Sequence, residues 1–175
     1  MKKLVLVNEK DEMVGLEEKE KCHRGKGILH RAFSIYIFNN KGQLLIQQRS
    51  KFKKLWPNYW SNSCCSHPRE REDYIKAGKR RLKEELGFNS TLKFITKFQY
   101  QAKYKDIGSE NELCTILVGY YNGKVKPNPK EVADWQWIDV NKLRKDFKKN
   151  PENYTLWFKI GLEKVLNSPL RKNLK

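Results

Sequence analysis

The chain has 175 residues, of which 38% are hydrophobic and 12% aromatic, so it is long enough for one domain with its own core. This apolar content excludes a wholly disordered chain, and no apolar run approaches the ~20 residues of a membrane helix. Near the start only residues 4–7 are continuously apolar, fewer than the about 7 to 15 of a secretory signal. We therefore expect a single domain over residues 1–175 that is cytoplasmic and has no membrane partner.

The charge of the chain is strongly positive, because 37 Lys and Arg residues against 20 Asp and Glu give a formal net charge of +17. Counterion release would favour a nucleic-acid partner for such a protein. Residues 141–175 carry a net charge of +7, from 10 Lys and Arg against 3 Asp and Glu. The other basic residues are scattered, however, and there is no recognisable nucleic-acid motif. A small phosphorylated substrate explains the charge at least as well, so we expect a small-molecule partner and no specific nucleic acid.

The four cysteines, Cys22, Cys64, Cys65 and Cys114, are expected to be reduced thiols. Adjacent Cys64 and Cys65 would form a strained disulfide, and the expected compartment is a reducing one. Their spacing also fits no zinc finger or zinc ribbon.

Hydrophobic periodicity and turn signals divide the chain into strands and two longer helices. Asn-Asn-Lys-Gly at residues 39–42 predicts a hairpin between two apolar runs, and Gly87 predicts the end of a helix. Residues 51–66 are predicted to form an ordered loop. The other predicted elements are, in order, strands 4–7, 32–38 and 43–48, helix 70–86, strands 92–102, 113–121 and 135–140, and helix 154–166. This order indicates an α/β (or α+β) fold in which a mixed β-sheet lies between helices.

The three histidines, His23, His30 and His67, are candidate metal ligands together with two carboxylates. Glu110 and Glu112 lie two residues apart at the entrance of a predicted strand, so their side chains would point to the same face. Imidazoles and carboxylates together suit a divalent ion such as Mg, Mn or Zn. Spacing alone does not bring the five side chains together, so a plain surface or core role for each histidine stays open.

Residues 66–88 contain a longer pattern that resembles the Nudix box. That box runs Gly, five residues, Glu, seven residues, Arg-Glu, an apolar residue, any residue, Glu-Glu, any residue, Gly and an apolar residue. The matching positions, at full spacing, are Glu72, Arg80, Leu82, Glu84, Glu85, Gly87 and Phe88. Ser66 replaces the first Gly and Arg81 replaces the Glu beside Arg80. An ordinary helix with ion pairs would explain residues 80–87 but not Glu72 at its fixed distance.

The residues just before this box resemble one branch of the superfamily, the type I isopentenyl diphosphate isomerases. Residues 60–68, Trp-Ser-Asn-Ser-Cys-Cys-Ser-His-Pro, are similar to the active-site signature of that family. His23 and His30 lie where the family has its first two metal ligands, and residues 110–114, Glu-Asn-Glu-Leu-Cys, resemble its second signature. The resemblance extends along most of the chain and implies a Nudix-like mixed sheet.

The resemblance implies a reaction of isoprenoid biosynthesis, the interconversion of isopentenyl diphosphate and dimethylallyl diphosphate. One proton is added and another removed through a tertiary carbocation, and the family assigns these steps to Cys65 and Glu112. Glu112 would also contact the divalent metal, and Tyr100 would form a hydrogen bond with Glu112. Trp157 would face the carbocation with its π-cloud.

The resemblance also assigns the diphosphate end of the substrate. Lys19, Arg49, Lys53 and Arg81 are the candidate cations, and a magnesium ion bound with the diphosphate would lie near Glu85. Arg81 stands where the hydrolase box has Glu, so this position carries a positive charge in place of a negative one. A surface role for each of these basic residues stays open in so basic a protein.

Two other functions stay open on the sequence. A Nudix hydrolase of nucleoside or other diphosphates would explain Glu72, Glu84 and Glu85, but it leaves Cys65 and the histidines without a role, and Arg81 counts against it. A basic nucleic-acid-binding protein would explain the charge but none of the spacing. The expected function is therefore the metal-dependent isomerase, and the sequence leaves its oligomeric state open.

Overall fold

The computed structural model describes residues 2–169. In that range the chain forms one nine-stranded sheet, four α-helices and a short 3-10 helix. The elements are β1 (Lys3–Val7), β2 (Met13–Glu18), α1 (Lys19–Cys22), β3 (His30–Phe38), β4 (Leu44–Arg49), β5 (Trp60–Ser61), β6 (Cys64–Ser66), α2 (Tyr74–Leu86), β7 (Leu92–Tyr104), β8 (Gly108–Tyr120), β9 (Val132–Ile138), α3 (Val140–Lys149), the 3-10 helix (Pro151–Asn153) and α4 (Leu156–Leu166).

Strand β3 lies at the centre of the sheet. It runs parallel to β8 along its whole length and antiparallel to β6, so the sheet is mixed, as the sequence predicts. Its side chains alternate between two cores. Phe33 and Ile35 pack on the side of α2, whereas Tyr36 and Phe38 pack on the side of α4. The sheet thus carries helices on both faces, which confirms the predicted α/β architecture.

The predicted hairpin at residues 39–42 is only partly present. Gly42 takes the left-handed conformation with φ of 72°, and Phe38 pairs with Leu44, so the turn itself is confirmed. Beyond this pair the strands separate, since β3 joins β8 and β6 while β4 joins β9 and β5. Both strands are buried on both faces, and such strands commonly take neighbours from distant parts of the chain.

Helix α2 ends where the sequence predicts but begins four residues later than residue 70. Gly87 ends it at φ of 78°, with its N–H donating to the carbonyl of Lys83. The start is at Tyr74 because the Asp73 side chain accepts a hydrogen bond from the N–H of Lys76, an N-cap interaction. Arg71 has φ of 58°, which excludes a helical conformation there.

Several other elements differ from the sequence prediction. The predicted loop at residues 51–66 contains the short strands β5 and β6, and β2, α1 and α3 were not predicted. Val140 begins α3 rather than ending a strand, because Asp139 caps that helix through the N–H groups of Asn141 and Lys142. Strand β8 begins at Gly108, five residues before the predicted start, because the polar residues 108–112 are buried or half-buried in the sheet. No helix within residues 2–169 is long and apolar enough to cross a membrane.

Candidate active site

One pocket of about 520 Å³ collects most of the side chains that the sequence singles out. It opens beside the ends of β3 and β8 and extends to α2 and α4. The predicted site residues that line it are Lys19, His23, Arg49, Lys53, Cys65, His67, Arg81, Tyr100, Glu110, Glu112 and Trp157. His30 lies behind this lining and is fully buried, and Glu85 also lies outside it.

The five predicted metal ligands form one cluster. His23 follows α1, His30 begins β3, His67 follows β6, and Glu110 and Glu112 share one face of β8. One ligand atom from each lies within 4.8 Å of the others. His30 stands beside Glu112 because these two residues are partners in the parallel pairing of β3 with β8.

The geometry of this His–Glu cluster fits a divalent metal. The Nδ1 atoms of His23 and His30 lie 2.6 and 2.7 Å from the carbonyl oxygens of Lys19 and Ile28. Because a carbonyl only accepts, each Nδ1 carries a proton, so Nε2 is the atom that each ring turns toward the cluster. Within residues 2–169, buried His30 Nε2 has no hydrogen-bond partner, since the nearest carboxylate oxygen, of Glu112, lies 3.6 Å away. Such an unpaired buried nitrogen is costly unless a group such as a metal ion binds it.

The charges of the cluster also favour a cation. His23 Nε2 lies 2.8 Å from a carboxylate oxygen of Glu110, and His67 Nε2 lies 3.0 Å from Glu112. Burial, and then the negative charge of Glu112, raise the pKa of Glu110. Burial also lowers the pKa of His67 to about 3, although the Glu112 carboxylate opposes this shift. His67 is therefore neutral near pH 7, and a divalent ion would balance the two buried carboxylates.

Tyr100 lies against Glu112, as the resemblance implies. The two residues are cross-strand partners of β7 and β8, and the Tyr100 hydroxyl donates to Glu112 Oε2 at 2.6 Å. Burial and the nearby carboxylate raise the pKa of Tyr100 well above its usual value. Tyr100 is thus a phenol donor that fixes the orientation of the Glu112 carboxylate.

The two adjacent cysteines have different environments because successive side chains of β6 point to opposite faces. Cys64 is buried in the core beneath α2, whereas Cys65 lines the pocket. Cys65 Sγ accepts a hydrogen bond from Trp157 Nε1 at 3.2 Å and donates one to Asn62 Oδ1 at 2.8 Å. Burial raises the pKa of the Cys65 thiol, although the Ser34 hydroxyl and the Arg49 charge oppose the shift.

Aromatic rings form the wall of the pocket around Trp157. Its ring centroid lies 5.2 Å from Trp56 and 5.8 Å from Tyr100. The Arg49 guanidinium carbon lies 5.4 Å from the centre of the Trp157 ring, and Arg49 is held there by the backbone carbonyls of Leu55 and Trp56. The indole is therefore already in contact with a positive charge.

The four predicted diphosphate-binding cations differ in their partners. Within residues 2–169, neither Lys19 nor Arg49 forms an ion pair. Lys53 and Arg81, by contrast, both bind the carboxylate of Glu131, a residue that sequence reasoning missed. Glu131 comes from the loop before β9, and no motif in the sequence marks it.

Each of the three glutamates of the Nudix-like pattern forms an ion pair with an arginine. Glu72 forms two bonds of 2.8 Å with Arg80, and Glu84 contacts both Arg80 and Arg81. Glu85 is buried, pairs with Arg81, and accepts a hydrogen bond from the Gln47 side chain. Glu85 therefore lies outside the His–Glu cluster, and a magnesium ion beside it stays a prediction.

Known proteins resemble this chain along most of its length. The family model described as NUDIX domain matches residues 28–158. Isopentenyl-diphosphate Delta-isomerase 1 of Photorhabdus laumondii is 46% identical over 174 residues, which cover 98% of this chain and 99% of that protein. Isopentenyl-diphosphate Delta-isomerase of Serratia proteamaculans is 42% identical and covers 89% of this chain and 86% of its own length.

Solved structures agree on the fold. The crystal structure of DR0079 from Deinococcus radiodurans superposes with a TM-score of 0.70 at 22% identity, covering 85% of this chain and 90% of that one. The MutT protein of Methanosarcina mazei gives a TM-score of 0.65 at 18% identity, covering 84% and 96%. The family model and the sequence matches show that the chain belongs to the NUDIX domain family and, within it, to the isopentenyl-diphosphate Delta-isomerases.

Proposed function

We propose that this protein interconverts isopentenyl diphosphate and dimethylallyl diphosphate. The observation that carries the proposal is that one pocket holds both a half-buried thiol, Cys65, and a His–Glu cluster that includes Glu112. A Nudix hydrolase needs neither feature. The names of the relatives from Photorhabdus and Serratia, which match this chain over most of their length, support the same activity.

The reaction requires two proton carriers in a dry site. The terminal methylene carbon gains a proton, a tertiary carbocation forms, and the neighbouring allylic carbon then loses a proton. Among the titratable side chains of the pocket, we assign these two proton transfers to Cys65 and Glu112, as the resemblance implies. Both are largely shielded from water, which would otherwise capture the carbocation.

The His–Glu cluster would hold a divalent ion, whose positive charge would make a protonated Glu112 a stronger acid. The residues that would hold it are His23, His30, His67, Glu110 and Glu112. Tyr100 orients the Glu112 carboxyl toward the pocket through its 2.6 Å hydrogen bond. Whether the ion is Mg, Mn or Zn stays a prediction.

The aromatic wall would stabilise the positive charge of the intermediate. A cation over a desolvated indole gains roughly 2 kcal/mol, and Trp157 presents its ring beside Cys65. Its indole N–H is committed to the Cys65 sulfur, so the orientation of the ring is fixed before the substrate binds. Trp56 and Tyr100 pack against Trp157 and limit its movement.

The basic side of the pocket would bind the diphosphate. Lys19 and Arg49 have no ion pair within the described range and are the first candidates. Desolvation, and then repulsion from Lys53, lower the pKa of Lys19, and an anionic ligand would reverse this effect. Lys53 and Arg81 now pair with Glu131. They would bind the diphosphate, with its magnesium near Glu85, once the diphosphate displaces the Glu131 carboxylate.

The cytoplasmic location stays a prediction, and the oligomeric state stays open.

A pair of adjacent variants tests the proposal. Cys65→Ala removes one proton carrier and should reduce conversion of isopentenyl diphosphate below detection with the fold intact. Cys64→Ala is the matched control, because its side chain points into the core on the other face of β6 and does not line the pocket. Near-normal turnover by Cys65→Ala, or equal loss in the control, would contradict the assignment of Cys65.

A further inference from the structure

Thr155 occupies the N-cap position directly before α4, but its side chain does not cap this helix. A threonine there normally accepts a hydrogen bond from an N–H of the first turn, yet the Thr155 side chain makes no such bond. Its hydroxyl oxygen instead lies 3.0 Å from the hydroxyl oxygen of Ser61 on β5. Both residues are at most 1% exposed. The Thr155 hydroxyl therefore forms a buried hydrogen bond with β5, the strand before β6 and its two cysteines, instead of capping α4.

The direction of this bond follows from the partners of Asn62. Its amide nitrogen donates to the carbonyls of Ile35 and Cys64 at 3.0 and 2.9 Å, so both amide hydrogens are used and Oδ1 can only accept. The Ser61 hydroxyl donates to this oxygen at 3.2 Å. A hydroxyl has a single hydrogen, so when Ser61 donates to Asn62 it accepts from Thr155.

The same oxygen of Asn62 also accepts from Cys65 Sγ at 2.8 Å. On its other side, the Cys65 sulfur accepts from Trp157, which lies two residues after Thr155 on α4. Four hydrogen bonds thus link Thr155, Ser61, Asn62, Cys65 and Trp157 in sequence, and the backbone from Thr155 to Trp157 closes them into a hydrogen-bonded ring.

Backbone contacts also join the residues just before α4 to β5. The N–H of Thr155 donates to the carbonyl of Trp60 at 3.0 Å, and Tyr154 forms an isolated bridge with Trp60. The first turn of α4 is thus fastened to β5 by both main-chain and side-chain bonds. Thr155 itself does not line the pocket, so its hydroxyl can affect the reaction only through the residues that it holds in place.

We propose that Thr155 is a positioning residue, whose bond to Ser61 sets the place of the Trp157 indole relative to the Cys65 thiol. The kinetic consequence rests on the proposed isomerase function, because it assumes that Cys65 and Trp157 contact the reacting carbon atoms. The structural consequence, the orientation of the Trp157 N–H, does not depend on that function.

The test compares Thr155→Val, which keeps the branched shape but removes the hydroxyl, with Thr155→Ser, which restores the hydroxyl. For Thr155→Val we expect kcat to fall about 10- to 100-fold, the effect of a small misplacement of reacting groups, with KM within about twofold. Thr155→Ser should remain close to the unchanged protein. Asp139→Ala is the matched control, because it removes the cap of α3 away from the pocket and should lower Tm but not kcat.

A second readout needs no substrate. The chain has five tryptophans, and the Trp157 indole N–H signal in a ¹⁵N correlation spectrum can be assigned with Trp157→Phe. In Thr155→Val this signal should shift and exchange faster with water, while it stays in place in Thr155→Ser and Asp139→Ala. If Thr155→Val does not fold, Ser61→Ala removes the bond to Thr155 together with the bond to Asn62. It should shift the Trp157 signal and lower kcat at least as much.

The proposal would be overturned if Thr155→Val left the Trp157 signal unmoved or kept kcat within twofold of the unchanged protein. Equal losses of kcat in Thr155→Val and Thr155→Ser would overturn it as well. A rise in KM at constant kcat would also overturn it, because it would assign Thr155 to substrate binding. If the unchanged protein does not convert isopentenyl diphosphate at all, the proposed function fails, and the indole signal alone then decides whether the ring positions Trp157.

Discussion

Removal of the Tyr100 hydroxyl tests how the orientation of Glu112 contributes to turnover. Tyr100→Phe deletes a buried hydrogen bond of 2.6 Å to a carboxylate oxygen while keeping the ring that packs on Phe98 and Trp157. A hydrogen bond to a charged group contributes about 1.5–3 kcal/mol. If this energy is lost from the transition state, kcat falls roughly 10- to 150-fold, since each 1.4 kcal/mol is about a factor of ten.

The assay is kcat for the conversion of isopentenyl diphosphate at saturating substrate, with thermal unfolding to confirm that the variant is folded. Tyr104→Phe is the matched control, because Tyr104 is a buried tyrosine of the same strand that packs against Trp56 and Tyr59 and does not line the pocket. We expect the control to keep kcat within about twofold. A Tyr100→Phe enzyme with unchanged kcat, or one no worse than its control, would refute the role of the hydroxyl in orienting Glu112.

Two further predictions concern the metal and the basic side of the pocket. Dialysis against a strong chelator should stop turnover, and added Mg, Mn or Zn should restore it; activity that persists without divalent metal would contradict the role of the His–Glu cluster. Glu131 has its pKa lowered to about 2 because the charges and hydrogen bonds of Lys53 and Arg81 outweigh the opposing effect of burial. A carboxyl with a depressed pKa in the folded state contributes stability above its unfolded pKa of about 4.5, and this contribution is lost as the pH falls toward 2. Glu131→Gln should therefore lower the free energy of unfolding in urea at pH 7 more than at pH 3, and equal losses at the two pH values would contradict this ion-pair account.

Local features of the fold could be predicted from the sequence because they depend on neighbouring residues. Gly87 ends α2 since a glycine reaches the left-handed conformation without strain. Glu110 and Glu112 share a face because strand side chains alternate. The predicted start of α2 at residue 70 was wrong, because the N-cap Asp73 and the backbone conformation of Arg71 decide this boundary. Residues 70–73 are all charged, so hydrophobic periodicity does not locate the start.

Contacts between distant segments could not be predicted from periodicity. His30 stands beside Glu112 only because β3 pairs in parallel with β8, and no local pattern specifies that pairing. Glu131 reaches Arg81 and Lys53 because β9 pairs with β4, which brings the loop before β9 to the pocket. The resemblance to the isomerases predicted the five residues of the His–Glu cluster. It did not predict that two of the candidate diphosphate-binding cations, Lys53 and Arg81, share the Glu131 carboxylate.

The central claim is most directly tested by one NMR experiment in deuterated water. The purified protein is incubated with isopentenyl diphosphate and magnesium, and the alkene protons and the released phosphate are followed together. We predict that dimethylallyl diphosphate appears with deuterium incorporated and that no phosphate is released. An unchanged substrate would contradict the isomerase, and phosphate release without a shift of the double bond would instead indicate a hydrolase built on the same fold.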